Sequence, residues 1–397
     1  MNILYASALC SSRFLQYLYD TGKKKPTYSI QKFHRLLAKG VIANGCQVDT
    51  ITSVPCARMM YDKYIFCPSS ESEDGIRYHY VFCVNVKVLK NICDFLGSFT
   101  FTLYWCLRHR RGIVFCDILN VSICMGALLA AKLCRNHASA IVTDMPGLMV
   151  GNSNNMRIKL ASYLMMSYVN SFNSYTLLTE QMNERVNLKR RPYIVMEGLV
   201  SSEMRVEERN PVRKPRIIIY AGGLHERYGI KMLIEAFDTL SSDYPDTQLH
   251  LFGEGPIVSY IKEMTCRNKQ IAFHGVMPNT TVVEAELQAT LLVNPRPTHE
   301  DFTKYSFPSK NMEYMVSGTP VLTTKLPGMP QEYYPYIFTL EEENVDGYEQ
   351  SLRKVLSLSD AELDAKGQSA KRFVLDTKNN IMQAERVKML VAGIRHL

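Results

Sequence analysis

The sequence predicts an α/β fold made of two parallel-sheet domains, and three observations predict it. Short apolar, β-branched runs alternate with longer segments of helical period throughout the chain, the pattern of strands joined by crossover helices. Residues 201–215, SSEMRVEERNPVRKP, are charged, hold two prolines and carry no apolar period, so they read as a break between domains. After that break the alternation starts again. At 397 residues the chain is long for one core and comfortable for two. The expected limits are residues 1–199 for an N-terminal, acceptor-binding domain, 200–215 for a linker and 216–379 for a C-terminal, donor-binding domain. Residues 380–397 read as a final amphipathic helix that packs on either domain. Ligand loops at the C-terminal ends of the strands would then face a cleft between the domains.

In the first half, residues 1–9 read as a strand, 30–44 as a helix with one broad apolar face, and 47–52 as a strand. Residues 81–86 read as the next strand. A helix through the 90s ends in Arg108, His109, Arg110 and Arg111 before Gly112. Cations in a last turn followed by Gly are ordinary helix-end chemistry, and a contact with acidic lipid explains them equally well. Residues 113–116, 138–143 and 175–178 follow as strands, separated by helices at 121–134 and 154–170.

The second half opens with a strand at 216–220, then AGGLHERYG and a helix at 230–240. Strands at 248–252, 271–273 and 291–294 alternate with helices, the last of which covers 281–288. The strand at 291–294 runs into Pro295-Arg296-Pro297, which holds a cation on a rigid loop. The stretch YSFPSKNMEYMVSGTPVL at 305–322 comes next. There Ser309 is placed to cap a short helix, Lys310 lies in its first turn, Glu313 one turn on, and Gly318 supplies a left-handed stop. Residues 321–324 read as a buried strand.

Composition narrows the function classes. An apolar share of 46% and a charged share of 21% are those of an ordinary globular protein. The formal net charge of +8 favours anionic partners, but no basic stripe interleaved with aromatics is present, and no nucleic-acid partner is expected. Ten of the eleven cysteines lie at or before Cys134 and none forms a C-x-x-C pair, which points to buried thiols in a reducing compartment. The nine histidines show no ligand spacing, so neither a metal nor another cofactor is expected. MNILYASAL has no basic leader and reads as a first strand, not a signal peptide. The apolar stretch at 92–107 contains Asp94 and Gly97, and that at 121–134 falls short of the ~20 residues a membrane span needs. The expected location is the cytoplasm, with peripheral contact at the inner face of the cell membrane left open.

The loops carry the chemistry. Gly222 and Gly223 bare the backbone for a phosphate, and Arg227 follows with a planar donor fork. Gly253 and Gly255 frame a second tight turn, and His274-Gly275-Val276 forms a third; either could admit a flat base. Arg296, Ser309 and Lys310 gather cations and free N–H groups at a helix start, an anion site in outline. Taken singly, each is also what an ordinary glycine turn or solvated surface helix would show. Together they follow successive strands of one sheet, and one bound nucleotide diphosphate would use them all.

These residues resemble a family. YAGGLHERYGIKMLIEAF, LHLFGEGP, FHGV and FPSKNMEYMVSGTPVLTT stand in the order shown by the donor-binding half of retaining, nucleotide-sugar-dependent glycosyltransferases of family four. The nearest likeness is to bacterial enzymes that build surface polysaccharides such as capsule, exopolysaccharide or O-antigen. The resemblance implies the GT-B fold of two Rossmann-like domains. It also implies a nucleotide-sugar donor, UDP foremost, a saccharide or lipid-linked saccharide acceptor, and catalysis without a metal. It assigns Lys310 to the diphosphate and Glu313 to the nucleotide ribose; the family's Gly-Arg…Lys-Gly phosphate pair reads Gly222-Gly223…Tyr228-Gly229 here, so Arg227, one residue before the family's Lys, is expected to substitute for it. Asp144, in IVTDMPG, takes the place of a catalytic-pocket histidine, although a plain turn role suits it as well. The family's first glutamate is replaced by Tyr305, so sugar contacts come from elsewhere, Glu300 or Asp301 included. The usual glycine-rich loop after the first strand is replaced by KKKPTYSIQKFH. A non-catalytic sugar-nucleotide or glycan-binding subunit is the alternative. An NAD-dependent oxidoreductase is disfavoured, because no G-x-G-x-x-G follows the first strand of either half.

Overall fold

The computed structural model describes residues 1–24, 28–145, 156–204, 209, 211 and 214–393. Parts of several expected features lie outside the described residues: 25–27 of the Lys-rich stretch, 146 and 147 after Asp144, and 154 and 155 of the expected helix. So do 205–208, 210 and 212–213 of the linker, and the final 394–397. The chain divides into two compact units, one formed by Met1–Ser201 with Asn379–Leu397 and the other by Ser202–Lys378.

The first unit is built from strands β1 (Asn2–Ser7), β2 (Gln47–Thr52), β3 (Ile65–Phe66), β4 (Glu71–Glu73), β5 (Ile76–Tyr80), β6 (Cys83–Val84), β7 (Ile113–Asp117), β8 (His137–Val142), β9 (Ser174–Leu177) and β10 (Tyr193–Val195). Its helices are α1 (Ser12–Thr21), α2 (Tyr28–Ala43), α3 (Lys87–Arg108), α4 (Val121–Leu133), α5 (Met156–Val169) and α6 (Glu180–Val186). Eight strands form one sheet in the order β10-β9-β8-β7-β1-β2-β5-β4, in which only the edge strand β4 pairs antiparallel. The inner strands are buried along nearly their whole length, as the covered faces of a parallel sheet require. His34 on α2 ties the sheet together across its centre. Its Nε2 lies 3.0 Å from Asp117 of β7 and its Nδ1 meets the Tyr5 hydroxyl of β1, all three side chains being buried.

Two expectations fail here. The strand expected at 81–86 is only the two-residue β6, which pairs antiparallel with β3 outside the main sheet. The sheet uses β5 instead, whose sequence IRYHY sets exposed Arg77 between buried Ile76 and Tyr78 and so lacks an unbroken apolar run. The segment KKKPTYSIQKFH does not replace the loop after the first strand. Helix α1 intervenes, capped by Ser11, whose hydroxyl accepts from the Phe14 N–H, and Tyr28 to His34 already belong to α2.

The second unit contains β11 (Arg216–Ala221), β12 (Thr247–Phe252), β13 (Ile271–Gly275), β14 (Leu291–Asn294), β15 (Val321–Thr323) and β16 (Phe338–Thr339). Between and after them run α7 (Ile230–Leu240), α8 (Val258–Arg267), α9 (Asn279–Gln288), α10 (Ser309–Ser317), α11 (Val345–Leu356) and α12 (Asp360–Thr377). All six strands are parallel, in the order β13-β12-β11-β14-β15-β16. Strand order reverses direction at β11 and β14, the point where open sheets of this kind leave a crevice. The core is formed by the inward face of α7, with Leu233, Ile234 and Phe237, against Leu249, Leu251 and Val293 of the sheet.

The last helix, α13 (Asn380–Gly393), packs on α2 in the first unit. Contact is so close at Gly40 that a Cβ there would stand 2.0 Å from the Asn380 carbonyl oxygen. The Asn380 N–H also donates to the Val200 carbonyl at 2.8 Å.

Candidate functional site

The second unit carries a hollow of about 160 Å³ at the C-terminal ends of β11 and β14, lined by Tyr220, Gly223, Tyr228, Asn294, Arg296 and the helix start at Pro308, Ser309 and Lys310. Local chemistry fixes each wall. Beyond β11 the backbone of Gly222 donates to Phe252 and that of Leu224 to Glu254, which lays the 222–224 loop along the turn after β12. Gly229 takes a left-handed φ of 79° and presses against Pro295, where a Cβ would stand 1.9 Å from the carbonyl oxygen. The Tyr348 hydroxyl donates to that same carbonyl at 2.7 Å. Thr324 donates to the Arg296 carbonyl at 2.5 Å, so the Pro-Arg-Pro loop is held on both sides of the cation.

Helix α10 is anchored at two points. The Asn294 amide donates to the Asn311 side chain at 2.7 Å, and the Ala221 N–H donates to the buried Tyr314 hydroxyl at 3.1 Å. These bonds aim the helix start into the hollow. Ser309 is not the cap: Pro308 occupies that position without a side-chain bond, and Ser309 is the first helical residue, exposed beside the ligand space. The shift follows from Pro308, whose fixed φ suits the entry to a helix. Of the first N–H groups of α10, that of Asn311 donates to the Pro308 carbonyl at 3.0 Å, while those of Ser309 and Lys310 precede the helix's own bonding. Gly318 ends it with a φ of 77°.

Two cations meet here without carboxylates. Among the described residues neither Lys310 nor Arg296 is within ion-pair distance of an acid. Lys310 lies 5.9 Å from the centre of the Tyr314 ring, and Arg296 5.1 Å from that of Tyr228. Arg296 is half-buried, and that burial, together with the neighbouring Arg227, weighs against its charged form. Arg227 is exposed beside the same tyrosine, its guanidinium 5.2 Å from the ring centre and 3.3 Å from the hydroxyl. Tyr228 is thus contacted by two guanidinium groups.

Of the residues singled out in the sequence, Gly223, Arg296, Ser309 and Lys310 line the hollow, and Gly222 abuts Lys310. Arg227 stands at its edge through Tyr228. Glu313 lies one turn along α10 and is exposed. Gly253 and Gly255 have a structural reason of their own: a Cβ on either would fall about 2 Å from the Gly222 or Leu224 carbonyl oxygen, at 1.9 and 2.1 Å respectively. Val276 is exposed just beyond β13, and Gly275 holds a φ of 68° with open space around it. Asp144 is in the first unit, exposed after β8, where its carboxylate accepts from the Met145 N–H at 2.7 Å. Tyr305 is buried, and Asp301 is exposed and paired with Lys304 at 3.2 Å.

Sequence reasoning missed Tyr220, Tyr228, Asn294 and Glu286. Glu286 is buried on α9, which packs against α10. Burial raises its carboxyl to about 7; attraction from Lys310 opposes the rise and repulsion from Glu313 adds to it.

Residues 203–372 match the family model described as glycosyl transferases group 1. That match spans nearly the whole second unit. Among curated proteins no match is found. Solved structures match along the entire chain. A sucrose-phosphate synthase from Thermosynechococcus elongatus has 13% identity and a TM-score of 0.64, with 100% of both chains covered. TarM has 12% identity and a TM-score of 0.62, over 98% of this chain and 99% of its own. An E. coli trehalose-6-phosphate protein bound with UDP-2-fluoro glucose has 9% identity and a TM-score of 0.62, again over 98% and 99%. At such identities the likeness establishes the fold, which is GT-B with two Rossmann-like domains.

Proposed function

We propose that this protein is a retaining glycosyltransferase of the hexosyltransferase type. It moves a sugar from a nucleotide diphosphate, UDP foremost, to a saccharide or lipid-linked saccharide hydroxyl in surface-polysaccharide assembly at the inner face of the cell membrane. One observation carries the reading: Lys310 and Arg296, both without a carboxylate partner among the described residues, line one hollow at the start of α10. The group 1 match over the second unit supports the reaction class. The neighbour that binds UDP-2-fluoro glucose supports the choice of UDP.

The chemistry asks for such a site. As the glycosidic bond to the diphosphate breaks, the leaving group gathers negative charge and the sugar becomes oxocarbenium-like. Cations and helix N–H groups that meet this charge more strongly in the transition state than in the ground state accelerate the step. In this reading Lys310 and Arg227 hold the diphosphate, with Arg296, the Ser309 hydroxyl and the N–H groups of α10 beside them. Glu313 accepts from the ribose hydroxyls. The leaving phosphate oxygen takes the acceptor's proton, so no side-chain base is needed, and the cations supply the charge a metal supplies elsewhere. Asp144 is the first unit's contribution.

The test is a panel of UDP-, GDP- and ADP-sugars, with nucleotide release followed with and without saccharide acceptors and with EDTA present. Acceptor-dependent release of UDP, unaffected by EDTA, is expected. Tyr305 in the place of the family's first glutamate favours a second reading, a non-catalytic sugar-nucleotide-binding subunit. Tight binding of a nucleotide sugar without release, whatever the acceptor, would establish that instead.

A further inference from the structure

Helix α3 turns an apolar face to the outside. Val88, Ile92, Leu96, Thr100 and Tyr104 follow one another every four residues and all are exposed, with Leu107 at the end of the same side at 63% exposure. From Asn91 to Leu107 the one charged residue is Asp94, which turns inward and is bonded to Ser53 and Lys90. The outward face therefore runs for about 24 Å, at a rise of 1.5 Å per residue, without a charge.

Helix α4 continues this surface. The two helices cross in close contact at Gly126, where a Cβ would stand 2.3 Å from the Phe95 carbonyl oxygen. Met125 and Leu129, on either side of that crossing, are exposed, as is Leu133 one turn further on. A solvated surface of this kind is what marks an interaction site on a globular protein.

The rim decides the partner. Between residues 87 and 135 the chain holds seven Lys or Arg side chains and two carboxylates, Asp94 and Asp117, both buried. Lys87 stands at one end of the α3 face, Arg108, Arg110 and Arg111 at the other, and Lys132 and Arg135 at the end of α4. A second copy laid on this face would bring cations against cations in either orientation. An anionic lipid surface meets both the apolar face and its basic ends. No described helix is long and apolar enough to cross a membrane, so the fitting geometry is a helix pair lying in the interface.

We propose that the outward face of α3 and α4 docks the protein on an anionic phospholipid bilayer, with Ile92, Leu96 and Leu107 entering the interface and Arg108, Arg110 and Arg111 on the headgroups. The docking face is independent of the donor hollow, and its test does not read sugar transfer.

The experiment is co-sedimentation of the full chain with vesicles of phosphatidylcholine and phosphatidylglycerol, and with phosphatidylcholine alone. The wild type is expected to pellet with the anionic vesicles and to be released by high salt. Ile92→Glu/Leu96→Glu and Arg108→Gln/Arg110→Gln change exposed positions, so each should keep the wild-type Tm while binding falls about tenfold or more. Wild type left in the supernatant with anionic vesicles overturns the proposal. Equal pelleting with neutral vesicles, or undiminished binding by both variants, also overturns it. A dimer in light scattering that Ile92→Glu/Leu96→Glu dissociates would give the face to a second copy and overturn it as well.

Discussion

Gly222 and Lys310 are neighbours in space: a Cβ built on Gly222 would stand 2.8 Å from the Lys310 Cε. The other atom in the way is the Tyr220 hydroxyl at 2.9 Å. The Lys310 end is flexible, whereas Tyr220 is a buried ring whose hydroxyl donates to the Gly223 carbonyl at 2.9 Å; Gly222 has no left-handed φ, so Gly222→Ala should fold with a modestly lowered Tm. It should nevertheless push the ammonium off its position. Turnover about tenfold lower, equivalent to ~1.4 kcal/mol in the transition state, is the expected outcome in the nucleotide-release assay. An unchanged rate would mean that the ammonium's place is unimportant.

Lys310→Ala removes the charge itself. One charged contact to the developing diphosphate is worth about 1.5–3 kcal/mol, so turnover should fall roughly tenfold to a hundredfold. Near-normal transfer by this variant would remove Lys310 from the mechanism. The loss should exceed that of Gly222→Ala, because alanine at 222 moves the ammonium and alanine at 310 abolishes it.

Arg296 and Arg227 both lie within about 5 Å of the Tyr228 ring centre and repel each other, so an anion that contacts both relieves that repulsion. Nucleotide diphosphate at a hundred times its dissociation constant should stabilise the wild type by about 2.7 kcal/mol, read as a rise in Tm. Arg296→Met keeps the bulk beside Tyr228 and should lose most of that rise at the same ligand concentration. An equal rise in both proteins would place the diphosphate elsewhere.

The sheets were legible because their inner strands are continuous apolar runs: IIIYA and LLVN cannot be mistaken for loops. The strand at 76–80 was not, because Arg77 and His79 interrupt the pattern, although it pairs in parallel with β2 along its whole length. In the site, Lys310 and Arg296 could be found from their positions just after strands. In sequence Tyr220 and Asn294 only end strands, and Tyr228 is one residue of a glycine-flanked loop. Their role arises from two loops brought together at a sheet's reversal, which no local pattern encodes. Glu286 lies in AELQ, a polar helical stretch that looks solvent-facing until α10 covers it.

The glycine turns separate two causes that sequence alone cannot. Gly253 has a φ of 128° and lies with its Cβ space filled by the Gly222 carbonyl oxygen at 1.9 Å. Gly275 has a φ of 68° and nothing within 4 Å. Gly253→Ala must move backbone and should lose roughly 3 kcal/mol, the upper range for overpacking. Gly275→Ala meets only the left-handed penalty, about 1 kcal/mol. Urea unfolding midpoints in that order are expected; equal losses would mean that the close approach at Gly253 is relieved at no cost.

Glu286 gives the protein a pH-dependent term. Its carboxyl is raised from 4.5 to about 7, mainly by burial. A raised carboxyl binds its proton more tightly in the folded chain than in the unfolded one, so the folded state holds more protons between those two values and stability falls as pH rises. The contribution is fully present below about 4.5, declines through the interval and is lost above 7. At 1.36 kcal/mol per unit the interval corresponds to about 3 kcal/mol. Glu286→Gln is neutral at every pH and keeps the shape. Its unfolding free energy relative to wild type should therefore climb between pH 5 and pH 8 by a few kcal/mol and then level off, whatever constant offset the amide brings. Parallel curves for the two proteins across that range would show that Glu286 titrates like a solvated carboxylate.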